Sequence, residues 1–191
     1  MQLTGQFLIA TPSMPDTRFA HSVVLLCAHS DQGAMGIIIN KPLPDLRLPT
    51  LLTHLDIARS DGATGLGGDI PDMPVHFGGP VETSRGFVLH SPDFFSAEGS
   101  LAVADGLVLS TSVEILSEMA RGQGPGAALV ALGYSGWGPE QLEREIQAGG
   151  WLLAEASAPM LFATEDGRKW AAALAQIGVD PRMLSGATGH A

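Results

Sequence analysis

Ser22-Val-Val-Leu-Leu-Cys-Ala-His29 and Met35-Gly-Ile-Ile-Ile-Asn40, with Ser30-Asp-Gln-Gly33 between them, decide how this chain folds. The first segment is a near-continuous apolar run with β-branched residues, the pattern of a strand buried on both faces. The second repeats that pattern over a shorter length, and Ser-Asp-Gln-Gly is turn chemistry. A hairpin of the two strands follows. Pro42 and Pro44 then block further extension of the sheet, because proline has no backbone N–H to donate.

Upstream, Gln6 to Thr11 reads as a short strand stopped by Pro12 and Pro15. Downstream, Pro49 to Ile57 reads as a helix, with proline in its first turn and Leu51, Leu52 and Leu55 on one side. Residues 58–74 lack periodicity and read as a loop. Val75 to Phe77 and Gly86 to His90 are two further strands joined by a Gly78-Gly79-Pro80 corner. Thr111-Ser-Val-Glu114 has the form of a capping box, opening a helix that follows Leu107 to Ser110, runs to about Arg121 and ends at Gly122.

Ala127 to Tyr134 is a strand, and Gly133-Tyr-Ser-Gly-Trp137 reads as a turn from that strand into an acidic helix over Pro139 to Ala148. Trp151 to Ala156 alternates as a strand. Thr164 caps a last helix, with Trp170, Leu174 and Ile177 on one face and Gly178 as its stop. A strand-rich first half and a mixed second half point to an α+β fold. No internal repeat or linker divides the chain, so residues 1–191 are expected to form one domain.

Composition narrows the function. With 45% hydrophobic residues, 191 residues bury a core without a disulfide or structural metal. The one cysteine, Cys27, allows no intrachain bridge and fits a reducing compartment. The N-terminal segment has no basic residue or long apolar run, so no secretory signal is expected, and no apolar stretch approaches membrane-spanning length. A cytoplasmic protein is expected. Ten basic residues face twenty acidic ones, a net charge of −10, and the basic residues are scattered. Direct nucleic-acid binding, which depends on clustered cations, is disfavoured.

Two groups of residues carry possible chemistry. Cys27 and His29, two apart on one strand, share a face, so the imidazole is placed to lower the thiol pKa for a nucleophile or redox switch. The competing and favoured reading makes Cys27 a small core residue. Zinc would need His76 and His90 as further donors, and there is no second close-spaced ligand pair, so no metal is expected. The second group is Asn40, Lys41, Arg85 and His90, which together would line a pocket for a small anionic ligand. Its alternative has Asn40 bonding turn backbone and Arg85 pairing with Glu82.

Gly133-Tyr-Ser-Gly-Trp137 lacks the final glycine of a nucleophile elbow. Gly65-Leu-Gly-Gly68 and Gly122-Gln-Gly-Pro-Gly126 lack the third glycine or lysine of a nucleotide loop, so no cofactor is implied. Glu143 and Glu145 sit on an exposed helix and do not share a face, so they are not an acid–base pair.

Taken in order, Gly5-x-Phe7-Leu8, Cys27-x-His29, Gly33-Ala34-x-Gly36, Asn40-Lys41-Pro42, Gly78-Gly79-Pro80-Val81, Arg85-Gly86-Phe87-Val88-Leu89-His90, Gly133-Tyr134, Gly136-Trp137, Trp151-Leu152 and Gly189-His190-Ala191 resemble the YqgE/AlgH family of bacterial proteins. The likeness covers nearly the whole chain. It implies a mixed, mostly antiparallel, bifurcated sheet curled into a barrel-like core flanked by helices. It adds little chemistry, since the family's biochemical function is unknown and a member's suggested part in transcriptional regulation implies genetic influence more readily than DNA contact. Ser135 stands where the family usually has alanine, which weakens any serine nucleophile there.

The expected function is therefore a ligand-sensing or protein-interaction domain with a regulatory effect, taking a small anionic ligand or a protein partner. A thiol-dependent enzyme or redox switch using Cys27 is the alternative. No catalytic motif is complete, so the balance leans away from an enzyme.

Overall fold

The computed structural model describes residues 2–57, 70–96 and 99–184. Most of the expected loop over 58–74, and all of Gly65–Gly68 and Gly189–Ala191, lie outside the described residues.

The hairpin forms as its sequence requires. β1 (Gln6–Ala10) pairs antiparallel with β2 (Val23–Ser30), and β2 pairs antiparallel with β3 (Gly33–Ile38). Pro42–Arg47 is nevertheless a strand, β4, against the expectation that its prolines end the sheet. Among the described residues it pairs only with β5 (Pro74–Phe77), at Pro42↔His76 and Arg47↔Pro74 with an irregularity between. An edge strand tolerates proline because its outward N–H has no partner to lose.

After α1 (Leu48–His54), β5 and β6 (Val81–His90) flank the Gly78–Pro80 corner, but they do not pair with each other. Both pair with β9 (Ala128–Trp137), β5 in parallel and β6 antiparallel. β7 (Ser100–Ala104), which the sequence reading did not assign, joins β8 (Leu107–Ser110), and β8 joins β6. α2 (Val113–Ala120), α3 (Gln141–Gln147), β10 (Trp151–Glu155), α4 (Asp166–Gln176) and α5 (Pro181–Leu184) complete the order. The result is an α+β fold on a mostly antiparallel sheet of ten strands, ordered β10-β1-β2-β3-β9-β6-β8-β7, with β5 and β4 branching from β9.

β9 is the branch point. Its first half, Ala128–Leu132, pairs with β5 and β6, and its last residues, Ser135–Trp137, pair with β3. Gly133, at φ 74°, turns the strand between the two leaves. The Gly133–Trp137 segment is thus a strand and not the turn its composition suggested. The corner crosses so close to it that a Cβ on Gly79 would lie 2.1 Å from the Tyr134 carbonyl carbon. β10 and β7 end the path without pairing to each other, so the sheet is open and not closed into a barrel.

Three apolar clusters fill the layers. Phe7, Leu25, Leu89 and Leu129 meet Ala173 and Leu174 of α4. Leu48 and Leu52 of α1 and Ile115 and Met119 of α2 cover Val75, Val88 and Val130. Leu142 of α3 closes on Leu8, Trp137 and Trp151. Helix ends follow the glycines, with Gly122, Gly149 and Gly178 all at positive φ. The expected caps do not form. Ser112 is the N-cap of α2 and makes no side-chain cap bond, and Thr164 Oγ1 donates back to the Pro159 carbonyl while Glu165 takes the N-cap of α4.

Candidate functional site

A cleft of about 920 Å³ opens between the two leaves, beside the branch in β9. That volume lies in the range of small-molecule sites, roughly 300–1,000 Å³. Met35 of β3, Phe87 of β6, Leu101 of β7 and Tyr134 of β9 give it an apolar wall, and Arg85 and Ser100 bring polar groups to it. The Arg85 guanidinium stands 5.4 Å from the centre of the Phe87 ring and donates to Glu82 at 3.3 Å. Both members of that ion pair are 51% exposed. Such a pair contributes only about 0–1 kcal/mol, so an incoming anion competes for Arg85 at little cost.

The other three residues of the expected anion pocket do not join Arg85 there. Asn40 Oδ1 accepts from the Val23 N–H and its Nδ2 donates to the His21 carbonyl, each at 2.9 Å. These bonds close the open end of the hairpin, as in the backbone-bonding alternative. Lys41 Nζ donates to the Arg18 carbonyl at 2.6 Å, and burial lowers its pKa against the opposing charge of Asp16. His90 is five residues from Arg85 along β6, about 17 Å at strand rise. It is fully buried, with Nε2 2.8 Å from Ser110 Oγ and Nδ1 2.8 Å from the Ser91 carbonyl. Burial lowers its pKa, against the Ser91 hydrogen bond and the charge of Asp93.

Cys27 and His29 part company at a β-bulge. Leu26 pairs with Gly36 and Ala28 with Met35, so Cys27 is the extra residue and the alternation of faces breaks there. Cys27 falls in the core with Val23 and Leu25, 1% exposed, and its thiol donates to the Leu25 carbonyl at 3.5 Å. Burial pushes that thiol up to about 12. His29 instead meets Glu143 Oε1 at 2.7 Å through Nε2 and accepts from the Leu3 N–H through Nδ1. The partly exposed, base-assisted thiol that a redox switch requires is not what this strand holds.

The acidic helix also departs from expectation. Glu143 turns in to His29, and Glu145 Oε2 accepts from Trp137 Nε1 at 2.9 Å and from Trp151 Nε1 at 2.8 Å. Both carboxylates fasten the helix to the sheet. A further polar group escaped the sequence reading altogether, with Asp166 between His76 Nε2 at 3.0 Å and Lys169 Nζ at 2.8 Å. Its members lie 90 and 3 residues apart, and a lone histidine on β5 signals nothing until α4 docks. Among the described residues no group of three or more His, Cys, Asp and Glu side chains is placed to hold a metal ion.

The fold and cleft define a class: an open, branched α+β sheet with a small-molecule-sized cleft at the branch. Residues 7–182 match the family described as AlgH-like (DUF179), and the chain belongs to that family. It is 54% identical to a UPF0301 protein of Methylobacterium sp. strain 4-46 over 189 residues, covering 99% of this chain and 90% of the relative. A UPF0301 protein of Cereibacter sphaeroides strain ATCC 17029 is 49% identical over the full length of both chains. Among solved structures, the solution structure of the AlgH protein from Pseudomonas aeruginosa aligns with a TM-score of 0.77 at 38% identity, covering 100% of this chain and 97% of that one. A crystal structure of a protein from Corynebacterium diphtheriae aligns at 0.73 with 20% identity, over 97% of this chain and 92% of that one, a likeness of fold alone.

Proposed function

We propose that residues 1–191 act as one cytoplasmic small-molecule-binding domain, whose cleft takes a compact ligand with an anionic group for Arg85 and an apolar body for the Met35, Phe87, Leu101 and Tyr134 wall. Ligand occupancy then governs a regulatory effect. The observation that carries this reading is the position of Arg85, a cation whose ion pair with Glu82 is an exposed 3.3 Å contact and whose guanidinium stands over Phe87, on the wall of a cleft of ligand size. A carboxylate that meets a guanidinium in bidentate fashion is a stronger partner than Glu82 in that geometry. The wall beneath it suits an aliphatic or aromatic body. A lone cysteine buried as a thiol agrees with a reducing compartment.

Ligand-observed NMR with a panel of small aliphatic and aromatic carboxylates and phosphates tests the reading. Arg85→Ala is expected to weaken the best binder about tenfold or more, the effect of losing roughly 1.4 kcal/mol. Equal binding by the wild type and Arg85→Ala overturns it.

A further inference from the structure

His90 ends a hydrogen-bonded chain whose direction its own surroundings fix. Nδ1 faces the Ser91 carbonyl at 2.8 Å, a group that only accepts, so the ring proton sits on Nδ1. Nε2 of the neutral ring then carries a lone pair and accepts from Ser110 Oγ at 2.8 Å. With its one proton committed, Ser110 must accept in its 2.7 Å contact with Ser100 Oγ, which therefore donates. Ser100 Oγ in turn accepts from the Ser96 N–H at 3.1 Å. Ser100 lies on the wall of the cleft, and Ser110 and His90 are fully buried behind it. The chain runs one way, from the cleft to a buried imidazole.

We propose that Ser100 is the nucleophile of an acyl-transfer site in the cleft, and that its proton passes through Ser110 to His90. The proposal rests on the cleft reading above: the substrate is a small ester whose carboxylate Arg85 holds. Ser100 Oγ attacks the ester carbonyl carbon as its proton moves to Ser110 Oγ and the Ser110 proton moves to His90 Nε2. The tetrahedral adduct collapses with loss of the alkoxide, which takes the Ser110 Oγ proton as His90 Nε2 returns one to Ser110, and leaves as the alcohol. Water then attacks the acyl-Ser100 ester as its proton passes to Ser110 Oγ and the Ser110 proton to His90 Nε2, and on collapse the acid departs while Ser100 Oγ takes a proton back from Ser110. One ester and one water give one acid and one alcohol.

The surroundings suit each charge that forms. The Ser96 N–H that already points at Ser100 Oγ stabilises it as negative charge develops. Imidazolium at His90 donates from both nitrogens, to Ser91 and Ser110. The Asp93 carboxylate, held by Ser91 Oγ and the Gly126 N–H, favours that cation, and the Phe94 ring packs edge-on at 5.9 Å. In the resting state burial keeps the ring below its usual pKa, and so neutral and able to accept.

The test uses diisopropyl fluorophosphate, read by intact mass and peptide mapping. The Ser100 Oγ–P bond forms, P–F breaks, fluoride leaves and the proton goes to His90. One adduct at Ser100 is expected, absent in Ser100→Ala and about 100-fold slower in Ser110→Ala, the scale of a lost general base. Ser110→Thr, which keeps the hydroxyl, is expected to restore the rate and its rise with pH. No adduct in the wild type, an adduct at another residue, or equal rates in Ser110→Ala and wild type overturns the proposal. Carboxylate binding by Ser100→Ala separates the two readings. Arg85-dependent binding without labelling of the wild type defeats only the relay, and labelling without Arg85-dependent binding defeats the cleft reading and the carboxylate ester as substrate while leaving the relay standing.

Discussion

Lys169 Nζ donates to the main-chain carbonyl of Ile39 at 2.8 Å, so α4 is fastened to the end of the hairpin 130 residues earlier in the chain. Lys169 is 2% exposed, and burial lowers its pKa against the pull of Asp166. An ammonium in that position costs stability unless it is paired. Asp166 supplies the pairing at 2.8 Å and reaches His76 on the other side.

Asp166→Asn is therefore expected to destabilise the protein by about 3–5 kcal/mol, because it leaves a buried cation without its carboxylate. Urea unfolding measures this. The double variant Asp166→Asn/Lys169→Met is expected to lose less than the sum of its single variants, since the second change removes the orphaned charge. Additive losses would show that the pair does not couple.

The same cluster sets an acid limit. Burial alone would raise the Asp166 carboxyl, but hydrogen bonds and charge from His76 and Lys169 outweigh it and hold the pKa below the usual aspartate range. A depressed folded value means that the contribution is complete above the unfolded pKa, about 3.9. It disappears as pH falls through the folded value below that. The wild-type urea midpoint is expected to fall below about pH 4 by more than that of Asp166→Asn. Parallel pH profiles would remove Asp166 from the account.

What the sequence displayed was local. The hairpin turn, the apolar faces of α1 and α4, and the glycines that end the helices all follow from neighbours along the chain. What it concealed was made by register and docking. The Ser100–Ser110 contact exists because β7 and β8 pair with those two residues opposite each other. Cys27 and His29 separate because one extra residue in β2 shifts the faces, which no alternation rule anticipates. Gly133–Trp137 looked like a turn because of its glycines, yet Gly133 is needed inside a strand, at positive φ and with the Gly79 carbonyl oxygen 2.4 Å from where its Cβ would stand. Of the anion pocket only Arg85 reaches the cleft, because the hydrogen-bonding capacity of Asn40 and His90 is used inside the fold.

Glu145 gives a spectroscopic prediction. Its Oε2 is the acceptor for both the Trp137 and Trp151 indoles, whose rings meet edge-to-face at 5.9 Å. Glu145→Leu leaves two indole N–H groups without that acceptor, at about 1–3 kcal/mol each. Glu145→Gln keeps a carbonyl oxygen there and is expected to lose less. Tryptophan-monitored urea unfolding decides, and equal stability of the Leu variant and wild type would contradict the shared-acceptor role.

Cys27 is expected to resist iodoacetamide in the native protein at pH 8 and to react in denaturant. A thiol raised to about 12 by burial presents almost no thiolate, and the reagent has no path to it. Since the folded pKa is raised, stability is complete below the unfolded value near 8.5 and falls as pH rises towards 12. Cys27→Ser is expected to remove that alkaline loss. Stoichiometric native alkylation would instead reopen the thiol chemistry.

Gly79 tests the branch point itself. At φ 153° its missing Cβ would lie 2.1 Å from the Tyr134 carbonyl carbon and 2.4 Å from the Ser135 nitrogen. Those are backbone atoms of β9, which cannot rotate aside as a side chain does. Gly149 has a positive φ of 77° but nothing within 4 Å of a Cβ. Gly149→Ala therefore carries only the conformational penalty, about 1–2 kcal/mol. Gly79→Ala adds a collision that must push the corner off the strand, and is expected to abolish the cooperative unfolding transition or cost well over about 3 kcal/mol. Thermal and urea unfolding of the two variants side by side is the measurement. Similar losses at both positions would show that the corner yields, and that the two leaves are not locked together there.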